Sequence, residues 1–345
     1  KALYYNHIKK GRNYMKNKYE NILVYSGGEA IGDALYKLRF IQNLRYNFPN
    51  CKITWLAGQG KTEYSYTLKP LINKLIDEVI DDIKIGVNPL KEIIKSSPIQ
   101  KEYDVIIDTQ TVVLPTLILK KIKHKVFLSA TAKWIFSDIK PNNFSIKDSS
   151  LNDRLNIFIK LINNNQIKYF KDNIVLEDKF IQLSKKLLPQ GNIYVGIAPG
   201  AGDTSKIWPL RNFIKLAQKQ VENNRIPVLF LGPNEKDLLD IIKKEVPKAL
   251  FPEWTDEAIE SGLKGPILVI ALAQRINVAI ANDSGTGHMF ALADTKLISL
   301  FSKHNSIKYA PNAKTLIILD SKKWGGIDPN LIPFNEVNNS IDKLL

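Results

Sequence analysis

One cysteine, Cys51, stands in 345 residues. A lone thiol excludes an intramolecular disulfide and fits a reducing compartment. The four histidines and this cysteine are nowhere clustered, which argues against a structural zinc site. No metal site and no cofactor is expected. No run approaches the ~20 apolar residues that a membrane-spanning helix needs. The apolar stretch Asn21–Tyr25 is too short for a secretory signal and soon turns into glycines. The chain begins at Lys1 rather than at a methionine, which is compatible with further residues upstream. Two phosphate-binding fingerprints are also missing. There is no GxxxxGK[ST] loop, and the first strand does not lead into GxGxxG. No Asp-x-Asp pair occurs anywhere.

Positive charge is present in excess. The formal net charge is +15, so a polyanion is expected as partner: nucleic acid, anionic membrane or a phosphorylated substrate. The first twenty residues carry Lys1, Lys9, Lys10, Arg12, Lys16 and Lys18 against Glu20 alone, with Tyr4, Tyr5, Tyr14 and Tyr19 interleaved. Two readings of this segment stand open. Basic residues beside an anionic leaflet contribute about 1 kcal/mol each, so it can attach to a surface. It can equally be a solvated tail from a lysine-rich proteome.

Short β-rich runs alternate with helical stretches. Asn21–Tyr25 reads as a buried strand, and Gly27 and Gly28 break it. A helix is expected from about Ile31 to Tyr46, with apolar residues recurring at spacings of three and four. Strands are expected over Lys52–Ala57, Tyr103–Asp108 and Lys125–Ser129, with a helix over Val112–Lys121. Between about Pro141 and Gln190 two amphipathic helices, Leu151–Ile162 and Lys179–Leu188, follow without an intervening strand. This reads as a crossover between domains. The alternation then restarts, with strands at Asn192–Ala198, Pro227–Leu231, Asn277–Ala281 and Lys296–Phe301, the last clear one. Helices fall at Leu210–Glu222, Leu238–Lys244, Ile267–Gln274 and from Asp283 through Ala293. Such alternation implies an α/β chain with parallel sheets and helices on both faces. At roughly 100–200 residues per domain, two domains are expected. Residues 1–20 are a basic segment, 21–175 an N-terminal Rossmann-like domain and 176–345 a C-terminal one.

In open α/β sheets ligands bind beyond the carboxyl ends of the strands. Three loops of the second half lie there: Pro199–Lys206 (PGAGDTSK), Gly232–Glu235 (GPNE) and Asn282–His288 (NDSGTGH). Glycines let backbone N–H groups approach an anion, and a helix N-terminus adds about half a positive charge. Lys206 adds a full one. The three loops together make a diphosphate cradle.

Three blocks resemble the bacterial ADP-heptose:lipopolysaccharide heptosyltransferase family. Ile22–Leu56 resembles its opening: a strand, a glycine-rich turn, Gly-Asp, a helix, and a strand after Phe-Pro. Val195–Ala217 resembles its second-domain entry, with Pro-Gly-Ala and Lys-x-Trp-Pro. Ile280–Ala293 resembles its Asp-Ser-Gly-x-x-His helix start. Order and spacing match, and the blocks span most of the chain. The resemblance implies a GT-B fold, two Rossmann-like domains with parallel sheets facing a central cleft. It also implies inversion at the sugar's anomeric carbon. Asp33 matches the general base that takes the acceptor proton. Lys206 matches the lysine that neutralises the departing diphosphate, and Asp283 the aspartate that contacts donor-sugar hydroxyls. Ser284, Gly285, Thr286 and Gly287 match the phosphate-side turn, and Glu235 an acid that grips the ribose. Gly200, Ala201, Thr204, Ser205, Gly232 and His288 complete the implied donor site. The lack of Asp-x-Asp fits a leaving-group strategy without metal. The implied partners are a nucleotide sugar, ADP-heptose first, and an anionic glycolipid or saccharide such as the lipopolysaccharide core. The implied place is the cytoplasm, with possible peripheral contact to the inner face of the membrane.

Bland readings stand beside these. Asp33 also suits a helix start, and Asp283 an N-cap at Gly285. His288 is as readily a buried core histidine as a ligand contact, and Trp208 reads as packing beneath its loop. Glu29, near Asp33, can raise that carboxylate's pKa. Lys37 and Arg39 are candidate contacts for acceptor phosphates, or a solvated helix face. The chain departs from the family in its longer, more acidic first loop (SGGEAIGD) and in an enlarged Glu253–Gly265. It also lacks Gly-Pro-Thr after Phe301, where Lys303 is a candidate replacement contact. Other readings are a different nucleotide sugar, a protein acceptor, an epimerase of the same fold, or a basic binding module without catalysis.

Overall fold

The computed structural model describes residues 19–142 and 149–345. The basic stretch 1–18 lies outside them. Ten strands are described: β1 (Asn21–Ser26), β2 (Lys52–Ala57), β3 (Glu78–Ile80), β4 (Tyr103–Asp108), β5 (His124–Ser129), β6 (Tyr194–Ala198), β7 (Ile226–Leu229), β8 (Val278–Asn282), β9 (Lys296–Phe301) and β10 (Leu316–Asp320). They form two five-stranded sheets in the orders β3-β2-β1-β4-β5 and β10-β9-β8-β6-β7. Every pairing is parallel. The chain divides into two compact units, Lys1–Asp172 and Asn173–Leu345.

The central strands are buried on both faces, which is why they read as continuous apolar runs rather than as alternation. Helices supply the cover. Ile31–Asn47 packs on Leu151–Ile162, pinned by Asn43 Nδ2 donating to Asn156 Oδ1 at 3.1 Å. A capping box of Ser150 and Asp153 starts the second of these helices. Asp178–Leu187 packs instead on Pro266–Ala273, a wholly buried apolar helix. The two amphipathic helices expected between the domains thus belong to different units.

Two strands and six α-helices of the described residues went unread in the sequence, Phe334–Leu344 being the longest of these helices. β3 is three residues long, too short for a periodic signal. β10 is an edge strand, paired in register from Leu316–Leu297 to Asp320–Phe301. So Lys296–Phe301 is not the last strand. The helix Phe334–Leu344 closes the chain and buries Val337 and Ile341 in the core of its unit.

Each sheet reverses direction once. In the first the reversal falls between β1 and β4, in the second between β6 and β8. A crevice opens at such a switch point beyond the strand ends.

Candidate active site

In the second unit, the loops after β6 and β8 flank the switch point. The loop after β7 lies on one side of them and the loop after β9 on the other. Asn282, the last residue of β8, is fully buried and ties the crevice together. Its Nδ2 donates to Pro199 O at 2.8 Å, and its Oδ1 accepts from Trp208 N at 3.1 Å. One amide thereby fixes both ends of the Pro199–Lys206 loop. Trp208 is 0% exposed. It packs edge-on to Phe213, stacks on Phe334, and donates Nε1 to Ile332 O. The packing reading of this tryptophan holds.

That anchoring delivers Lys206 to the neighbouring loop. Lys206 Nζ donates to Asp283 O at 3.0 Å and to Asp283 Oδ2 at 3.3 Å. The two side chains are 13% and 9% exposed. His304 Nδ1, from the loop after β9, lies 2.6 Å from the same Oδ2. The printed partners of Asp283 thus converge on Oδ2, from two loops.

The helix Gly285–Leu292 begins at this point. Its N-cap is Ser284, with extended backbone and no side-chain cap bond. The expectation that Asp283 caps the helix is therefore corrected: its carboxylate is drawn aside by Lys206 and His304. The Ser284 hydroxyl is buried without a hydrogen-bond partner among the described residues. Gly285, Thr286 and Gly287 form the first turn, where backbone N–H groups have no partner within the helix. His288 follows. Burial pushes its pKa down to about 4, with Asp283 opposing and Lys206 reinforcing the shift. At neutral pH it is an uncharged ring, not a cation for phosphate.

The loop after β7 supplies Glu235 from a short 3₁₀ turn. Its carboxylate lies directly over Gly200, and a Cβ on Gly232 would come within 2.8 Å of Glu235 Oε2. Two bare backbones thus make room for one acid between two loops. Ala201, Thr204 and Ser205 complete the rim. Ser205 N and Oγ both donate to Asp203 Oδ1.

In the first unit, the turn after β1 runs Gly27–Ala30 into the helix Ile31–Asn47. Gly28 has φ +125°, and a Cβ there would press on Lys61 O at 3.2 Å, so the turn requires glycine. Asp33 sits in the first turn of the helix and is exposed. Beneath it is a buried ion pair. Lys37 Nζ donates to Glu29 Oε1 at 3.0 Å and to Ser26 Oγ at 2.6 Å. Trp55 Nε1 donates to Glu29 Oε2 at 3.3 Å.

Of the two candidate acceptor contacts, Lys37 is turned inward. Lys37 is 8% exposed and bound to internal partners. Arg39 Nη1 donates to Phe170 O at 3.3 Å. Lys37 is thereby committed inside the fold, while Arg39 is half-buried. Glu29 is likewise no simple turn residue. Its carboxylate is paired with Lys37 inside the fold.

The structure brings Gly200, Ala201, Ser205, Lys206, Gly232, Glu235 and Asp283–His288 to one end of one sheet, and places Asp33 at the corresponding end of the other. Asn282 and His304 were missed. The first hides beside Asp283 as an ordinary strand-end amide. The second stands after a strand whose loop position was its only signal. Among the described residues no three His, Cys, Asp or Glu side chains gather as a metal-binding group. No helix of the described residues is long and apolar enough to cross a membrane.

Known proteins resemble this chain in sequence and fold. The chain is 25% identical over 297 residues to the lipopolysaccharide core heptosyltransferase OpsX of Haemophilus influenzae, covering 82% of this chain and 79% of that one. Its fold superposes on a family 9 glycosyltransferase of Veillonella parvula with TM-score 0.70 and 16% identity, over 96% and 98% of the two chains. It superposes on the E. coli heptosyltransferase WaaC, solved with ADP, with TM-score 0.62 and 16% identity, over 94% and 100%. The fold is thus GT-B, with two parallel α/β sheets. Residues 96–328 match the family described as glycosyltransferase family 9 (heptosyltransferase), and with well over half of its length so matched, the chain belongs to that family and is a glycosyltransferase.

Proposed function

We propose that the enzyme transfers heptose from ADP-heptose to a lipopolysaccharide-core or related saccharide acceptor, with inversion and without a metal ion. The observation that carries the reading is the Lys206–Asp283 pair at the start of the helix Gly285–Leu292, on the β6/β8 switch point. A departing nucleoside diphosphate needs charge stabilisation as its bond to the sugar breaks. Lys206 and the N–H groups of Gly285, Thr286 and Gly287 supply it. Glu235 accepts from the ribose hydroxyls, and Asp283 from a donor-sugar hydroxyl. Asp33 takes the proton of the acceptor hydroxyl as that oxygen attacks the anomeric carbon. One displacement from the face opposite the leaving group inverts the configuration. Relatives support the donor and acceptor. OpsX is named for the lipopolysaccharide core, and WaaC has been solved with ADP and with ADP-2-deoxy-2-fluoro heptose. A lipid-linked acceptor would put the enzyme at the inner face of the cytoplasmic membrane.

The test is thermal stabilisation by ADP, UDP, GDP, CMP and their sugars, since a ligand that binds only the folded state raises the melting temperature. A shift with ADP compounds alone is expected. A shift with UDP or GDP compounds would keep the chemistry and replace the donor. No shift at millimolar concentration would overturn the reading.

A further inference from the structure

The loop after β9 departs from the family pattern, and the structure shows what stands there instead. Lys303 Nζ reaches across to Ser205 Oγ at 2.5 Å. His304, the next residue, meets Asp283. The loop is built to do both. Lys322 Nζ donates to His304 O at 2.7 Å, bracing the loop from β10's side. Lys303 therefore belongs to the same ring of side chains as Lys206.

Charge accounting shows why a second cation matters. Lys206 is already paired with Asp283, and that carboxylate also faces His304. A diphosphate leaving group carries more than one negative charge. Lys206 and the N–H groups of the helix start meet part of that charge, and a second ammonium within reach adds to it. An ammonium has three N–H donors. Lys206 uses two on Asp283, while Lys303 uses one on Ser205 and keeps two. The Ser205 hydroxyl and amide hold the Asp203 carboxyl below its usual range, and Lys303 and Lys206 add to that.

Resting on the reading above that the ligand is a nucleoside diphosphate sugar, we propose that Lys303 is a second cation of the diphosphate site. It acts with Lys206 as a clamp on the two phosphates, and the Ser205 hydroxyl is its resting partner. Binding exchanges that neutral acceptor for phosphate oxygens. The ammonium then faces a negative charge in place of a neutral hydroxyl, which adds Coulombic attraction. No bond is made or broken in this step.

Calorimetric titration with inorganic pyrophosphate tests the clamp independently of the base and sugar. A panel of nucleoside diphosphates should be run beside it. Lys303→Gln is expected to weaken pyrophosphate and the bound nucleotide by about tenfold, and to flatten the salt dependence of binding. Lys303→Arg should restore most of the affinity. Gln at an exposed position leaves folding intact, which the melting temperature checks. Equal pyrophosphate affinity and equal salt dependence in wild type and Lys303→Gln would overturn the clamp while leaving the donor reading standing. A wild-type protein that binds neither pyrophosphate nor any nucleoside diphosphate would overturn both.

Discussion

The two sheets share one construction, five parallel strands with a single reversal, yet their carboxyl ends are furnished differently. In the second unit the charged groups meet across loops. Lys206, Asp283 and His304 come from three separate strand ends and touch one another. In the first unit the comparable pair, Glu29 and Lys37, comes from one turn and its helix and is buried out of reach. Asp33 is left exposed above it. The difference teaches where rigidity is needed. A leaving group must meet charges already in place, because reorganising them during the reaction costs free energy. On the proposed mechanism the base must reach a hydroxyl that arrives with the acceptor, and an exposed carboxylate at a helix start suits that.

The largest expected effect falls on the exposed acid. Asp33→Asn should cut transfer by about 10²–10⁴-fold and leave donor affinity within about twofold of wild type, a limit set by the exposed site. Product formation and calorimetry measure the two. Near-wild-type turnover would remove Asp33 as base and dissolve the contrast between the units. The buried pair is next. Lys37→Met should destabilise the protein by about 3–5 kcal/mol, because Glu29 is left charged and unpaired. Glu29→Gln combined with Lys37→Met should recover much of that loss. Denaturant melts decide it, and additive losses would show that the pair is not coupled. Lys206→Ala should weaken nucleoside diphosphate binding by about 10–100-fold. Unchanged affinity would mean that the cross-loop ion pair is structural only.

The smallest effect is a pH dependence at His288. The ring is held neutral in the fold, with its pKa lowered from 6.5 to about 4. Between those values the unfolded chain binds a proton that the folded one refuses. Stability is therefore full above pH 6.5 and falls as pH drops toward 4. His288→Asn should flatten this limb by on the order of 2 kcal/mol. Melting temperatures at pH 7 and 4.5 for both proteins measure it. An equal drop in both would place the acid sensitivity elsewhere.

Much of this was legible beforehand. Val105, Ile106 and Ile107, or Val278 through Ala281, are runs that only a doubly covered strand can use. Glycines after such strands mark loops at the ligand-binding end. Legibility failed where the signal is short or spatial. Leu316–Asp320 has only five residues, and its partner β9 settles its role. Lys37 stands four residues after Asp33 and so shares its helix face by spacing. Burial under the Gly27–Ala30 turn nonetheless commits it to Glu29. Asp283 has the chemistry of an N-cap, but two cations from other loops claim its carboxylate, and Ser284 takes the cap position.

By itself, then, the sequence determined the two α/β halves, the loops at their strand ends and the family. Those depend on local patterning: apolar runs, helical spacing, and glycines where backbone must approach an anion. Which charges are available was decided only by the tertiary structure. A lysine's role depends on whether its nearest carboxylate lies eight residues away, as Glu29 does for Lys37, or seventy-seven, as Asp283 does for Lys206. Coulombic and hydrogen-bond partners act through distance in space, and chain spacing carries no record of contacts that the sheet order alone creates.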